Sequence, residues 1–170
     1  MNTPLLLVSC LALLASLDAP AQAPKEAIPA KPREIEDMFA LIPKGDLMKL
    51  RGSKQAETIK EINAKIGAAE LQKEGTFRIT VDSVEPKVFE EGLKGWAVRG
   101  KQKLLKAGGA TIIVTSWIYV RVDPDKLLAK IRSGRDLVVT GRVAKAELAL
   151  LQGDNYFTAD IHTTTISEGK

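Results

Sequence analysis

The chain has 170 residues, of which 45% are hydrophobic and 27% are charged, enough for one domain with a hydrophobic core. Its formal net charge of +4 favours weak, salt-sensitive association with anionic surfaces and does not by itself name a partner. The chain has a single cysteine, Cys10, so a disulfide within the chain is excluded. It also has a single histidine, His162, so a zinc site of the usual kind is excluded. We therefore expect no metal and no cofactor.

The first 23 residues are typical of a cleavable export signal. Residues 5–17 form an apolar run shorter than the roughly 20 residues that span a bilayer as a helix. Asp18 and the small residues at 19–23 follow it, as expected before a cleavage site. This predicts a periplasmic or secreted protein with no stable membrane insertion after cleavage. A membrane anchor is the alternative, and a lipid on Cys10 is another because residues 7–10 resemble a lipobox.

Residues 24–33 and 34–74 predict a linker and a pair of short helices. Three prolines in the first segment favour extended backbone. In the second, apolar residues recur at helical spacing over 34–42, before a stop at 43–45. A second helix is expected to start at an N-cap, Ser53, and to end at Gly67. Each helix has one apolar stripe, so both need a surface to pack against.

Residues 75–167 alternate in the manner of five strands, which favours a small barrel. The strands are expected to begin near Phe77, Trp96, Ala110, Leu137 and Tyr156. A helix over 123–134 is predicted between the third and fourth strands, because Asp123-Pro124 suits an N-cap followed by the first helical position. Gly141 marks a bend or bulge in the fourth strand.

Five strands with a helix between the third and fourth are the order of the oligonucleotide/oligosaccharide-binding (OB) barrel, a partly open Greek-key barrel. Residues 138–143, Val-Val-Thr-Gly-Arg-Val, resemble the "hydrophobic-Thr-Gly-x-Val" strand of the tRNA-anti-like family of exported bacterial proteins. The resemblance covers about residues 75–167 and implies a mainly β, OB-like barrel in an exported protein, with no catalytic residues to carry over. The rival folds are an open α+β sheet and a β-sandwich, although a sandwich usually needs about seven strands.

Basic and aromatic side chains on the second and third strands form the candidate ligand surface. Alternation places three of them on one face of each strand, and antiparallel pairing could join the two sets. The residues are Arg99, Lys101, Lys103, Trp117, Tyr119 and Arg121. Basic groups bind phosphates or sulfates, and flat rings stack on bases or sugars. The alternative is structural: the lysines discourage edge pairing, and Trp117 and Tyr119 pack beneath the N-terminal helices.

Signs of catalysis are weak. Asp160 and His162 share one face of the fifth strand, as a general base would require, but Thr158 and Thr164 on that face indicate a solvated surface. No phosphate-binding loop, dinucleotide motif or nucleophile elbow is present. The first hypothesis is a non-enzymatic, exported binding or adaptor module with a protein partner. The alternative is a direct binder of polyanions, either single-stranded nucleic acid or acidic glycan, and an enzyme using Asp160 and His162 is a third.

Overall fold

The computed structural model describes residues 31–123 and 126–169, so the predicted signal peptide and most of the predicted linker lie outside the described residues. Within these described residues the structure has two α-helices and six strands, together with 3₁₀ segments at Ile35–Leu41, Lys49–Arg51 and Glu90–Gly92. The helices are α1 (Lys44–Met48) and α2 (Gln55–Glu70). The strands are β1 (Glu74–Val88), β2 (Lys94–Gly100), β3 (Lys103–Ala107), β4 (Ala110–Val120), β5 (Asp136–Leu151) and β6 (Asp154–Glu168).

The six strands form one sheet that closes on itself. Around the ring the order is β1-β2-β4-β6-β5, and β5 pairs again with β1, while β3 extends the sheet along β4. All neighbours are antiparallel except β4 and β6, which run parallel. The predicted mainly β, closed architecture is confirmed, with six strands in place of five.

The additional strand arises because the predicted second strand is interrupted. Arg99 lies opposite Trp117, but Lys103 lies opposite Val114, so one extra residue sits on the β2–β3 side of the pairing with β4. An extra residue of this kind reverses which face each following side chain occupies. Leu104 is accordingly 70% exposed, although unbroken alternation from the buried Val98 would place it inward.

A helix is predicted over 123–134, between β4 and β5. This prediction is wrong for the described part of the segment, which contains turns and no α-helix. The carboxylate of Asp123 accepts a hydrogen bond from the backbone N–H of Leu128, five residues on, at 3.1 Å, and so secures a loop instead of a helix end. Lys126 has a φ of 54°, which a right-handed helix does not accommodate. Leu128, 2% exposed, still enters the core.

The N-terminal helices and the barrel share one core, as the apolar stripes of the helices predict. The helical segments contribute Met38, Phe39, Leu50, Ile62 and Ile66 to the same cluster as the inward residues of the strands. Phe39 and Phe157 meet edge to face, with 4.7 Å between ring centroids and 71° between ring planes. None of the helices within residues 31–123 and 126–169 has the length and apolar character needed to cross a membrane.

The predicted helix ends differ from those observed. The first helix is a 3₁₀ helix, and α1 starts directly after Pro43, where a stop was expected. The N-cap of α2 is Lys54 in place of Ser53, and α2 continues through Gly67 to Glu70. Alanines at 68 and 69 are strong helix formers and compensate the cost of the glycine.

Asn63 and Arg33 are among the residues that attach the N-terminal region to the barrel. Beyond Arg142, β5 has no β1 partner, and there the Asn63 amide donates to the Leu148 carbonyl at 2.9 Å and accepts from the Leu148 N–H at 2.7 Å. Arg33 forms a β-bridge with Phe77 and an ion pair with the buried Glu70.

The predicted bend or bulge at Gly141 is confirmed by a shift in the pairing register between β5 and β6.

Candidate functional site

The six predicted site residues separate into different surroundings. Arg99 and Trp117 are neighbours on the outer face of β2 and β4, and the Arg99 Nε donates to the Asp82 carboxylate at 2.7 Å. Lys101 is exposed. Because of the extra residue between β2 and β3, Lys103 turns toward the N-terminal 3₁₀ helix and does not share a face with Arg99.

Lys103 is held in an ion-pair cluster. Its Nζ donates to Glu34 at 2.6 Å and to Glu36 at 2.9 Å. Burial alone would lower the pKa of Lys103, but the hydrogen bonds to the two carboxylates outweigh burial and raise that pKa. Lys103 therefore attaches the N-terminal segment to the barrel and is not placed to contact a ligand together with Arg99.

Tyr119 is the centre of a ring cluster on the outside of the barrel. Phe89, at the tip of the β1–β2 hairpin, meets Tyr119 at 6.3 Å between ring centroids and 82° between planes. On the other side, His162 of β6 meets Tyr119 at 5.4 Å and 89°. Both geometries are the edge-to-face arrangement that aromatic quadrupoles favour.

Two cations lie over these rings. The Nζ of Lys87 is 4.8 Å from the Tyr119 ring centroid, and the guanidinium carbon of Arg121 is 5.7 Å from that of Phe89. We call Lys87, Phe89, Tyr119, Arg121 and His162 the aromatic-cation surface. With Val88 and Glu90, these residues line an open depression of about 470 Å³.

The predicted alternative, in which Trp117 and Tyr119 pack beneath the N-terminal helices, is not what the structure shows. Neither ring belongs to the core that the helices share with the barrel. The neighbours of Tyr119 come from the β1–β2 hairpin and from β6, and Trp117 pairs with Arg99 on one side and Asp160 on the other. Both rings lie on the outer face of β4.

Asp160 adjoins this surface. It lies between Trp117 on β4 and Lys145 on β5, and it shares the outer face of β6 with His162, as predicted. Burial raises the pKa of Asp160, against the opposing effect of Lys145, His162 and Lys87. The pKa of Tyr119 is also raised, first by burial and then by the charge of Asp160.

Sequence reasoning missed three members of the aromatic-cation surface: Lys87, Phe89 and His162 as a partner of Tyr119. The second strand was expected to begin near Trp96, whereas β1 continues to Val88 and β2 begins at Lys94 after a tight hairpin. The available signal was Phe89, an aromatic residue in a charged stretch. Gly95 permits its position, because a Cβ there would come within 2.5 Å of the Phe89 ring.

Within the described parts of the chain, no three His, Cys, Asp or Glu side chains lie close enough together to hold a metal ion. The surface offers ring edges and faces, two cations and one imidazole. That chemistry suits the binding of a flat or anionic ligand.

Comparison with known proteins gives a likeness to solved structures. No family model matches the chain, and no curated protein matches it. Among solved structures, it is similar to a small single-stranded DNA-binding protein from Streptomyces coelicolor, with 17% sequence identity and a TM-score of 0.38, covering 58% of this chain and 94% of that one. The DNA ligand is a property of that protein. The similarity of residues 138–143 to the tRNA-anti-like family remains a resemblance of one short motif.

Proposed function

We propose that this protein is a non-enzymatic binding module whose aromatic-cation surface binds single-stranded nucleic acid. The observation that carries the proposal is that three rings and two cations from three separate strands and a hairpin meet at one open surface. Sequence spacing alone does not bring Phe89, Tyr119 and His162 together; the barrel does.

The chemistry of the surface supports this ligand class. Stacking of a base on an aromatic side chain contributes about 1–3 kcal/mol and tolerates any sequence. Lys87 and Arg121 already lie against ring faces, so a phosphate beside a stacked base would meet a cation without a large rearrangement. Arg99 and Trp117 continue the outer face of the same strands and extend the path available to a strand of nucleic acid.

An acidic glycan is the competing polyanion. Glycan recognition needs several donors and acceptors aimed at hydroxyl groups, and among the residues that line the depression the polar groups without a fixed charge are the Tyr119 hydroxyl and the His162 imidazole. Single-stranded nucleic acid is therefore the better match. Its binding should weaken steeply as salt rises, because counterions are released from the phosphates.

A second candidate function is an adaptor that docks a protein. Apolar side chains are exposed at the same end of the barrel, with Val88 66%, Leu93 46% and Val122 77% exposed. Such residues suit an apolar interface that depends little on salt.

In both candidate functions the proposed location is the periplasm or the exterior, supported by the apolar run at residues 5–17. The proposed barrel type is OB-like, supported by the small closed sheet.

The test is a fluorescence-anisotropy titration of labelled oligothymidylate and of a labelled sulfated glycan, at low and at physiological salt. We expect saturable, salt-sensitive binding of the oligonucleotide and a loss of about tenfold or more in affinity on Tyr119→Ala, corresponding to at least about 1.4 kcal/mol of stacking. Tyr156→Ala is the matched control, because Tyr156 lies on β6 opposite Ile113, near the other end of β4.

Equal losses in the two tyrosine variants would overturn the assigned surface. Tighter binding of the glycan would change the ligand class. If neither ligand binds at either salt concentration, the adaptor function is favoured. Circular dichroism of each variant verifies that the fold is retained.

A further inference from the structure

Asp160 and His162 form a titratable pair within the proposed binding surface. His162 is exposed and lies directly opposite Tyr119, whose ring it contacts edge to face. Asp160, two residues earlier, is half-buried, and its Oδ1 is shielded from solvent with no hydrogen-bond partner in the part of the chain that the structure describes. Protonation gives an imidazole a positive charge and removes the negative charge of a carboxylate.

The groups around the pair are mainly cationic. β1 contributes Lys87, and the hairpin tip contributes Glu90. β4 contributes Tyr119, and Arg121 directly follows its end. β5 contributes Arg142, Lys145 and Glu147. Lys145 is 2.9 Å from Glu147, so the ion pair that it forms is with Glu147 and not with Asp160. Among the described residues Asp160 has no ion-pair partner, so it places a carboxylate beside a surface that is otherwise suited to phosphates.

Resting on the proposed function, we propose that the Asp160–His162 pair links polyanion binding to proton uptake, so that affinity increases as the medium becomes mildly acidic. A protonated His162 adds a cation beside the Tyr119 ring, where a phosphate of the ligand would lie. A protonated Asp160 removes the repulsion that the same phosphate experiences. Both changes act in the same direction.

The sign follows from linkage. A bound polyanion stabilises the charged form of His162 and the neutral form of Asp160, so binding raises both pKa values and takes up protons. Affinity must then rise as the pH falls through the range in which these groups titrate. Burial already raises the pKa of Asp160 in the free protein, which brings its titration closer to the range of histidine.

The experiment measures the dissociation constant of labelled oligothymidylate from pH 8 to pH 5.5 at constant ionic strength, because thymine bases do not change charge in that range. We expect an increase in affinity of about tenfold, since a ligand-induced shift of one pKa unit corresponds to tenfold. His162→Gln should remove most of the pH dependence. Asp160→Asn, which keeps the shape of the side chain, should raise affinity at pH 8 and reduce the dependence of affinity on pH.

Asp154→Asn is the control, because Asp154 is an exposed carboxylate at the β5–β6 turn, far along β6 from the pair. It should leave the pH dependence unchanged. Saturable binding with the same dissociation constant at every pH would overturn the linkage while leaving the proposed function intact. A pH dependence that is undiminished in both His162→Gln and Asp160→Asn would also overturn it, whereas no binding at any pH would overturn both proposals.

Discussion

At one end of the barrel the N-terminal helices bury their apolar side chains against the strands, whereas at the other end the β1–β2 hairpin leaves its apolar side chains in solvent. The covered end carries the β3–β4 and β5–β6 turns, with Gly108 against α1 and Asn155 bonded to Gln55. Ile62 is fully buried there. At the open end, Val122 is 77% exposed.

Two phenylalanines show what this difference means. Phe39 and Phe89 each come from outside the closed ring of strands, and each meets a barrel ring edge to face. The partner of Phe39 is the fully buried Phe157, so this contact belongs to the core. The partner of Phe89 is Tyr119 on the outer face, so the same contact type there builds an accessible surface. The covered end provides stability, and the open end remains available for a ligand.

The largest expected effect comes from breaking the covered end. Phe39→Ala removes a buried ring from contact with Phe157 and should destabilise the fold by about 3–5 kcal/mol. Val122→Ala is the counterpart at the open end and should change stability by less than about 0.5 kcal/mol. Urea unfolding followed by tryptophan fluorescence measures both. Comparable losses of unfolding free energy in the two variants would show that the two ends of the barrel do not differ in their contribution to stability.

A smaller effect is expected at the attachment of α2 to β5. Asn63→Ala leaves the N–H and the carbonyl of Leu148 without their side-chain partners, which should cost about 1–3 kcal/mol. Lys60→Ala, on the exposed side of the same helix, is the control and should be nearly neutral. Protection of the Leu148 amide in hydrogen exchange provides a local readout, and unchanged protection in Asn63→Ala would contradict the assigned role.

The smallest effect concerns pH. Hydrogen bonds from Lys65, at 2.6 Å, and Lys49, at 2.9 Å, lower the pKa of Asp46 to about 2 from its ordinary value of 3.8. Because the folded pKa is lowered, Asp46 contributes stability above pH 3.8, and this is lost as the pH falls toward 2. Asp46→Asn should therefore lower the melting temperature slightly at neutral pH and reduce its fall between pH 4 and pH 2. An equal fall of the melting temperature between pH 4 and pH 2 in the two proteins would contradict this.

Alternation of side chains predicted much of the barrel. The inward set on β4, including Ile112, Val114 and Ile118, is buried as the sequence indicates, because each strand has one face toward the core. Tyr119 and Arg121 were found by the same alternation. The remaining partners of the site were not, since Phe89 and His162 reach Tyr119 through the closure of the barrel and not through sequence spacing.

The errors have local causes. One extra residue between Arg99 and Lys103 reverses the faces that follow it, and the basic residues continue their alternation in the sequence across that position. Over 123–134, Asp123-Pro124 carries the signal of a helix start, yet the Asp123 carboxylate binds the Leu128 N–H in a loop. The contacts available after folding, here with the core, outweighed the local preference.

The amide of Asn63 has a consequence for how this protein behaves when it is partly unfolded. Val143 still bonds to Gln72 and Lys73 through its backbone, but beyond it, up to residue 151, the outer edge of β5 has no strand beside it, and one side chain of α2 occupies that edge. If α2 detaches while the barrel persists, an alternating segment rich in alanine and leucine presents free N–H and carbonyl groups to solvent. Such an edge accepts a strand from another copy, so aggregation and exchange of segments between copies should begin at β5.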